Sequence, residues 1–554
     1  MLDSLSVRLG LLVGGAFVGL LLLIRKLYPR PYPGIPYNEA SAKRLLGDLM
    51  DLTSIVNETN EISNAALTIT TQRLGTPIAQ VLFPSFRKPL VILEDPREIE
   101  DIIIRRNKEF DKGPTALEVF RPMFPRASIS QSTTPALKAQ KRLWADTMSI
   151  DFLRKVAAPS IHKSTCELVE LWRLKSSMTF KDRAFNVLGD FKNAALDVIW
   201  VVIVGEEPGT IQYDIKKLQN QLAGSTTFDA APPVGSFLKE QVAYMSTTIA
   251  RNLNTPSPKW AHRFEMCTPR YRKFRRTVKG EMQKTMKKAV ERYQSLEIGS
   301  LEDDTVDRCA MDLVLRRQIL QARKAGIPPS DPTKDESMLD EMFIFLLRTA
   351  LRTAFPSTTS SSTTTATTTP PSALAILDAD IPYLDATLEE TMRLSGTAKG
   401  SLRQALVDTH ILGCSIPRGT EVMMSYHVNR APPGPVDEAK RSATSRAAGE
   451  KKGDGLRGVA GRDLGEFQPR RWLVVDGTTG RERFDAGVLP GLAFGGGFRG
   501  CPGRKLAMME LKIMVVMLVL NFEFLPIPEE YRSMAATEMA FRQPDFPFTR
   551  LRAL

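Results

Sequence analysis

The chain has 554 residues, 43% of them hydrophobic and 25% charged, with a formal net charge of +13. Length alone favours two or three domains, and the composition is that of a globular protein. A basic surface attracts anionic lipid headgroups, nucleic acid or an acidic protein; no nucleic-acid motif accompanies the charge, so the expected partners are membrane lipid and an acidic protein, with no nucleic acid.

Leu9 to Ile24 is an uninterrupted run of apolar residues and glycine, preceded by Arg8 and followed by Arg25, Lys26 and Arg30. A helix needs about 17–25 residues to span a bilayer, and Val7 and Leu27 extend the run towards that length. No small-x-small cleavage pattern follows it. Residues 1–28 are therefore expected to form an uncleaved, single transmembrane helix. The basic excess after the run places the remainder on the cytosolic side. Residues 29–40 are proline-rich and should form a stiff, extended hinge.

From Ser41 to Asp340 the pattern is mostly helical. Gln72–Phe83 followed by Leu90–Leu93 reads as a β-hairpin. Asp95 and Pro96 then open a helix to Ile104, as N-cap and first-turn residue. Lys141–Leu153 and Ser164–Leu174 read as amphipathic helices, and Thr277–Leu296 as a charged surface helix. Residues 357–371 are almost pure Ser and Thr, which cannot bury a core and predict a loose loop. Pro382–Leu394 reads as an amphipathic helix with Leu384, Leu388 and Met392 on one face; Glu390 and Arg393 stand at i and i+3 and can pair. Residues 431–461 are rich in Pro, Gly, Ala and charge and read as an insertion-like loop.

The five cysteines, Cys166, Cys267, Cys309, Cys414 and Cys501, form no CxxC or CxxCH motif, which fits a reducing compartment. Cys501 alone has an unusual setting, Phe494-Gly-Gly-Gly-Phe-Arg-Gly-Cys-Pro-Gly503, followed by a mostly apolar run from Leu506 to Leu520. The glycines allow the backbone to bend sharply and approach a flat ligand. The cysteine is expected where a helix begins, with Pro502 in its first turn. Free backbone N–H groups there, with Arg499 nearby, favour a thiolate that serves as metal ligand or nucleophile. Gly495-x-Gly-x-x-Gly500 is formally a dinucleotide fingerprint, but it lacks the βαβ unit and the acidic residue that pattern requires.

The loop resembles the haem-ligand pattern of cytochrome P450, Phe-x-x-Gly-x-Arg-x-Cys-x-Gly, at every fixed position. The resemblance implies that Cys501 is the thiolate ligand of a haem b iron. It implies Arg499 on a haem propionate, Phe494 beside the thiolate, and Gly497 and Gly503 for backbone shape. Glu390-x-x-Arg393 is similar to the family's Glu-x-x-Arg motif, and Phe467-Gln-Pro-Arg-Arg-Trp472 to its Phe-x-Pro-x-Arg-Trp segment. Arg471 would then complete a buried Glu390–Arg393–Arg471 cluster; Arg470 stands where an acidic residue is usual. Leu402–Asp408 and Gly413–Thr420 resemble the strand pair after the motif helix, making Arg403 a second propionate partner and Cys414 a small core residue. Lys141-Arg-Leu-Trp144 resembles a helix that supplies a further propionate-binding base, either Lys141 or Arg142, with Leu137 in place of the usual tryptophan.

The implied fold is mainly α with small β-sheets: one haem domain over residues 41–554, preceded by the transmembrane helix. The implied activity is a monooxygenase inserting one oxygen atom from O2 into an apolar small molecule, in fungal-type secondary metabolism or xenobiotic oxidation. NADPH electrons would come from NADPH–cytochrome P450 reductase at the endoplasmic reticulum membrane. One departure is large. The family's central helix carries an acid and an alcohol that relay protons to bound oxygen. Asp340-Glu-Met-Phe-Ile-Phe-Leu-Leu347 resembles the first half of that helix, but Arg348–Pro356 resembles a segment several turns further on. The simplest account is that a few tens of residues are absent between Leu347 and Arg348, by natural deletion or a mis-predicted splice junction; otherwise Thr349 or Thr353 would have to stand in for the alcohol. A haem-thiolate isomerase or dehydratase, or a non-catalytic haem-binding paralogue, are the alternatives.

Overall fold

A computed structural model describes residues 25, 27–179, 183–224, 227–253, 255, 257–294, 307–352, 370–452, 464–538 and 541–554. The run Leu9–Ile24 lies outside them, as do residues 357–369 of the Ser/Thr tract. Among the described residues no helix is long and apolar enough to cross a membrane. The chain packs into two compact units, each assembled from separated stretches. The first comprises the N-terminal part to Gly113, Lys399–Glu466 and Gly487–Arg499; the second comprises Pro114–Ala398, Phe467–Ala486 and Gly500–Leu554.

The first unit is built on a five-stranded sheet in the order Ile78–Val81, Leu90–Leu93, Glu421–Ser425, Gly400–Ala405, Phe110–Asp111. The expected hairpin is its edge, with Ile78 opposite Leu93 and Val81 opposite Leu90. The apolar run Leu90-Val-Ile-Leu93 then pairs in parallel with Glu421–Ser425, Val91 opposite Val422. Such a strand is buried on both faces, which suits a continuous apolar run better than alternation. Ile99, Ile102 and Ile103 of the Pro96–Ile104 helix pack on the sheet beside Val91, Leu93, Val422 and Met424. The Asp95 carboxylate caps this helix, accepting from Glu98 N at 2.8 Å.

Two stretches of the first unit are more ordered than their composition suggests. The proline-rich segment is pinned to the first strand: Gln80 donates from Nε2 to the carbonyls of Tyr32 (2.9 Å) and Ile35 (2.8 Å) and accepts from Tyr32 N (2.9 Å). The expected loop at 431–461 contains a helix, Ala443–Lys452. It begins where Arg441 forms a two-pronged ion pair with Asp95 at 2.6 and 2.8 Å. The hydroxyls of Ser442 and Thr444 donate to Asp101, so tertiary bonds to another helix override a weak local propensity. Cys414 is half-buried in its strand and packs against the apolar core of this unit.

The second unit is helical. Its core gathers Trp144, Trp200, Met342 and Phe343 from several helices, with Phe124 from a turn. Leu188–Val204 is buried almost along its whole length, and its few polar residues are bonded. Asp197 accepts from the backbone N–H groups of Thr210 (3.1 Å) and Ile211 (3.0 Å), thereby capping the next helix. The helix expected over Lys141–Leu153 is Pro135–Ala145, broken by short turns, and that expected from Ser164 is Ala158–Leu174. The charged helix expected at the surface is Pro269–Gln294. It buries Tyr271, Phe274, Val278, Met282, Met286, Ala289 and Tyr293, a stripe with helical spacing that its many cations conceal. Asp340–Leu347 lies within one continuous helix, Glu336–Arg352. The sheets of this unit are two-stranded pairs, such as Phe522–Phe524 with Leu551–Ala553.

Candidate functional site

The Cys501 loop passes from the first unit to the second between Arg499 and Gly500. In the first unit, Gly495 and Gly497 adopt the left-handed conformation, with φ of 64° and 57°. A Cβ at Gly497 would stand 2.2 Å from the carbonyl oxygen of Ile103, and one at Gly496 would stand 3.0 Å from the Ile103 side chain. The glycines are therefore required by close packing on the last turn of the Pro96–Ile104 helix, which fixes the loop's path. Phe494 is buried at the start of the turn.

Arg499 follows, nearly enclosed. Its Nε donates to Asp111 Oδ1 at 3.0 Å. Its Nη2 lies 2.9 Å from the same oxygen but off the hydrogen-bond axis, and has no hydrogen-bond partner among the described residues. Burial lowers the Arg499 pKa, the Asp111 carboxylate opposes that shift, and the charge of Arg403 adds to it. Arg403 is itself buried on the Gly400–Ala405 strand, next to Gln404, which pairs with Asp111 across the sheet. Its Nη1 donates to its neighbour's carbonyl, Leu402 O, at 3.1 Å. Arg499 thus has one carboxylate partner, a second buried guanidinium close enough for its charge to act on it, and an unused buried N–H donor. A second anion is what this arrangement lacks, and the propionate groups of a haem fit that need.

In the second unit Cys501 is a half-buried free thiol. The helix after it begins at Arg504, with Gly503 as N-cap. Cys501 therefore stands two residues before the cap, and Pro502 lies outside the helix rather than in its first turn. Gly503 has a φ of −81°, which any residue adopts, so backbone shape is not its role. The nearest atom to a Cβ added there is Cys501 Sγ, at 3.8 Å. Its missing side chain leaves space beside the sulfur, which again fits a bulky ligand bound to that atom.

The second unit also brings Glu390, Arg393 and Arg471 together, all buried. Glu390 Oε1 accepts from Arg393 Nη2 (2.7 Å), Arg471 Nε (3.0 Å) and Gln468 N (2.9 Å). Its Oε2 accepts from Arg393 Nε (2.8 Å) and Trp472 Nε1 (2.9 Å). Burial by itself would raise the Glu390 pKa; the bonds from Arg393, Gln468 N and Trp472, with the charge of Arg393, outweigh it and hold the carboxyl below its ordinary range. The adjacent Glu389 is also buried and pairs with Arg504 at 3.3 Å, tying this helix to the first residue of the helix that follows Cys501.

On the Pro135–Ala145 helix Lys141 is half-buried and Arg142 exposed, with Leu137 buried. The Thr349 side chain and all of Thr353 lie outside the described residues. Sequence reasoning missed Asp111, Gln468, Glu389 and Glu510. Glu510 is buried in the Arg504–Asn521 helix; its Oε1 has no hydrogen-bond partner among the described residues, and burial pushes its pKa up to about 7. An acidic residue inside an apolar run was its only signal.

The sequence profile of the family described as Cytochrome P450 matches residues 377–432 and 465–548, which contain the Glu390 cluster and Cys501. Curated relatives extend the match. Cytochrome P450 monooxygenase TRI13 of Fusarium sporotrichioides is 29% identical over 97% of this chain and 98% of its own. The chain belongs to the cytochrome P450 family. Cytochrome P450 monooxygenase xilC of Penicillium crustosum is likewise 29% identical, over 96% of this chain and 94% of its own. These relatives make this P450 an enzyme of the monooxygenase type, and the family implies a haem held by a cysteine thiolate, a redox partner and an organic substrate. The match to the Fusarium relative spans 592 positions, more than the 554 residues here, so that relative carries residues without a counterpart in this P450. Among solved structures, a cytochrome P450 (CYP102L1) superposes with a TM-score of 0.61 at 16% identity, covering 95% of this chain and all of that one; this shows the fold.

Proposed function

We propose that this P450 inserts one oxygen atom from O2 into an apolar small molecule, in fungal secondary metabolism or xenobiotic oxidation. Electrons come from NADPH through NADPH–cytochrome P450 reductase. The Leu9–Ile24 run anchors the protein in the endoplasmic reticulum membrane with the haem domain on the cytosolic face. The observation that carries this reading is the Cys501 loop, matched at every fixed position and lying in a chain whose full-length relatives are P450 monooxygenases. Bound haem supplies oxygen activation, with the Cys501 thiolate pushing electron density onto its iron. Arg499 and Arg403 hold its anionic edge by charge-assisted hydrogen bonds, and Gly503 leaves room beside the sulfur. The Glu390 cluster fixes the motif helix, and Glu389–Arg504 joins that helix to the one after Cys501.

Cys501→Ala tests the assignment. The reduced, carbon monoxide-treated protein should absorb near the wavelength typical of thiolate-ligated haem, and the substitution should abolish that band. An intact band in the variant sinks the assignment of Cys501.

A second reading is favoured by one observation: no acid–alcohol pair follows Leu347 in the sequence. A haem-thiolate isomerase or dehydratase needs none. General acid catalysis needs a donor held within hydrogen-bond reach, so this chain as written should oxidise NADPH without matching product. Inserting the absent helical segment between Leu347 and Arg348 should couple NADPH consumption to product. Tight coupling in the unaltered chain would refute the deletion. Product formed without oxygen uptake would favour the isomerase or dehydratase, and failure to load haem would favour a non-catalytic paralogue.

A further inference from the structure

Asp111 is held in the first unit from both sides. Phe110–Asp111 is the edge strand of the five-stranded sheet, with Phe110 opposite Ala405 and Asp111 opposite Gln404. Just before it, the Glu109 carbonyl accepts from Leu406 N at 2.7 Å. The Glu109 carboxylate accepts from the Thr409 hydroxyl at 2.6 Å and from Arg106 Nη2 at 2.8 Å. Just after it, a Cβ at Gly113 would stand 2.3 Å from Glu421 Oε1, so the backbone there is packed closely on another strand. The Asp111 side chain is 10% exposed and that of Arg499, its ion-pair partner, 8%. Arg499 is fixed in turn by the glycines that pack its loop on Ile103. The pair is therefore preformed in the chain itself.

That placement acts on any second anion. Arg499 gives Nε to Asp111 Oδ1 and keeps Nη2 unused, so an anion that takes Nη2 shares one guanidinium with Asp111. Arg403, also buried, is close enough for its charge to act on Arg499. Taking these three side chains alone, the haem-free site holds two cations and one anion. A haem adds two propionates, which makes three anions against two cations. Without Asp111 the balance would be two against two. Like charges gathered in one buried cluster disfavour one another. One carboxylate thus has effects of opposite sign: it stabilises the haem-free site and opposes the anions of the haem.

We propose that Asp111 is a resident stand-in for a haem propionate. It occupies Arg499 in the haem-free chain and, still in place after loading, holds the affinity for haem below what Arg499 and Arg403 alone would give. This rests on the haem reading given above. Asp111 acts on the haem through Arg499, so it is a positioning residue rather than a catalytic one. A purely structural ion pair would have the reverse effect, because its loss would loosen Arg499 and weaken the hold on haem. The sign of the change separates the two.

Asp111→Asn tests this, since it keeps an Oδ1 acceptor for Arg499 Nε and removes only the charge. Haem loss from the loaded full-length chain is followed by transfer to excess apomyoglobin, and thermal unfolding is measured with and without haem. The variant should lose haem several-fold more slowly than the wild type, although its haem-free form unfolds at a lower temperature. Haem should therefore raise its melting temperature by more than it raises that of the wild type. With haem dimethyl ester, whose propionates carry no charge, the advantage in retention should vanish. A variant that folds only when haem is supplied is the limiting case of the same result. Haem loss as fast as in the wild type or faster overturns the proposal. So does an equal advantage with the ester, or failure to fold even with haem. The haem reading is checked separately on the wild type: the band of thiolate-ligated haem after reduction and carbon monoxide upholds it whatever Asp111→Asn does, and a wild type that takes up no haem overturns both.

Discussion

Two buried carboxyl groups of the helical unit make opposite bargains with the interior. Glu390 receives five hydrogen bonds, from Arg393 twice, Arg471, Gln468 N and Trp472, and its pKa is held down. Glu510 is buried with an unpartnered oxygen, and burial alone pushes its pKa up to about 7. Burial is common to both, so the partners decide the sign. A charge costs little inside a protein when its lone pairs are filled, and is shed when they are not.

The sharpest way to break this contrast is to empty the Glu390 cluster. Glu390→Ala strands two buried guanidiniums, and losing one member of such a cluster costs about 3–5 kcal/mol. Denaturant unfolding should show that loss, and the protein should load little haem. Normal stability and haem content in this variant would mean that the cluster does not hold the fold.

Glu510 should respond with the opposite sign. The folded protein binds its proton more tightly than the unfolded chain does. Stability is therefore complete below the ordinary carboxyl range and falls as pH rises from there through about 7. For Glu390, the lowered pKa gives stability that is present above the ordinary range and is lost as pH falls through the folded value. Glu510→Gln should accordingly gain about 1–3 kcal/mol at pH values above about 7 and little in mild acid. A gain that does not vary with pH would show that ionisation of Glu510 is not the cause.

Asp111 offers a smaller test in the first unit, where one carboxylate faces Arg499 and the charge of Arg403 opposes it. Asp111→Asn should destabilise the haem-free protein by about 1–3 kcal/mol, less than Glu390→Ala because Arg499 makes one hydrogen bond to it rather than several. Arg403→Gln in the same background should return part of that loss, since it removes the second buried charge. Strict additivity in the double-mutant cycle would show that the charge of Arg403 does not act on the Arg499–Asp111 pair.

These contrasts also mark what the sequence could and could not convey. Cys501, Arg499, Glu390, Arg393 and Arg471 were legible because each sits at a fixed spacing in a short motif. The Asp95 cap and the hairpin were legible because local chemistry decides them. Asp111 and Gln468 were not, because their roles come from where strands and turns meet: Asp111 reaches Arg499 across 388 residues, and Gln468 contributes a backbone N–H rather than a side chain. The Ala443–Lys452 helix was hidden for the same reason, since Asp95 and Asp101 lie far away in sequence. The buried stripe of Pro269–Gln294 was present at helical spacing but masked by its cations. The role of Gly503 was misjudged because a glycine spared for neighbouring volume looks, in sequence, like one required for a turn.

The strand order of the first unit has a further consequence, in time rather than energy. Leu90–Leu93 pairs on one side with Ile78–Val81, available at once, and on the other with Glu421–Ser425, which is synthesised more than three hundred residues later. At ~5–20 residues per second the interval is on the order of tens of seconds. Throughout it the apolar edge Leu90-Val-Ile-Leu93 has no native partner on that side, and an unpaired apolar edge is a template for wrong pairing. The cap residue Asp95 likewise waits for Arg441. The N-terminal hairpin of this P450 should therefore need shielding by chaperones while the ribosome completes the strand that closes the sheet.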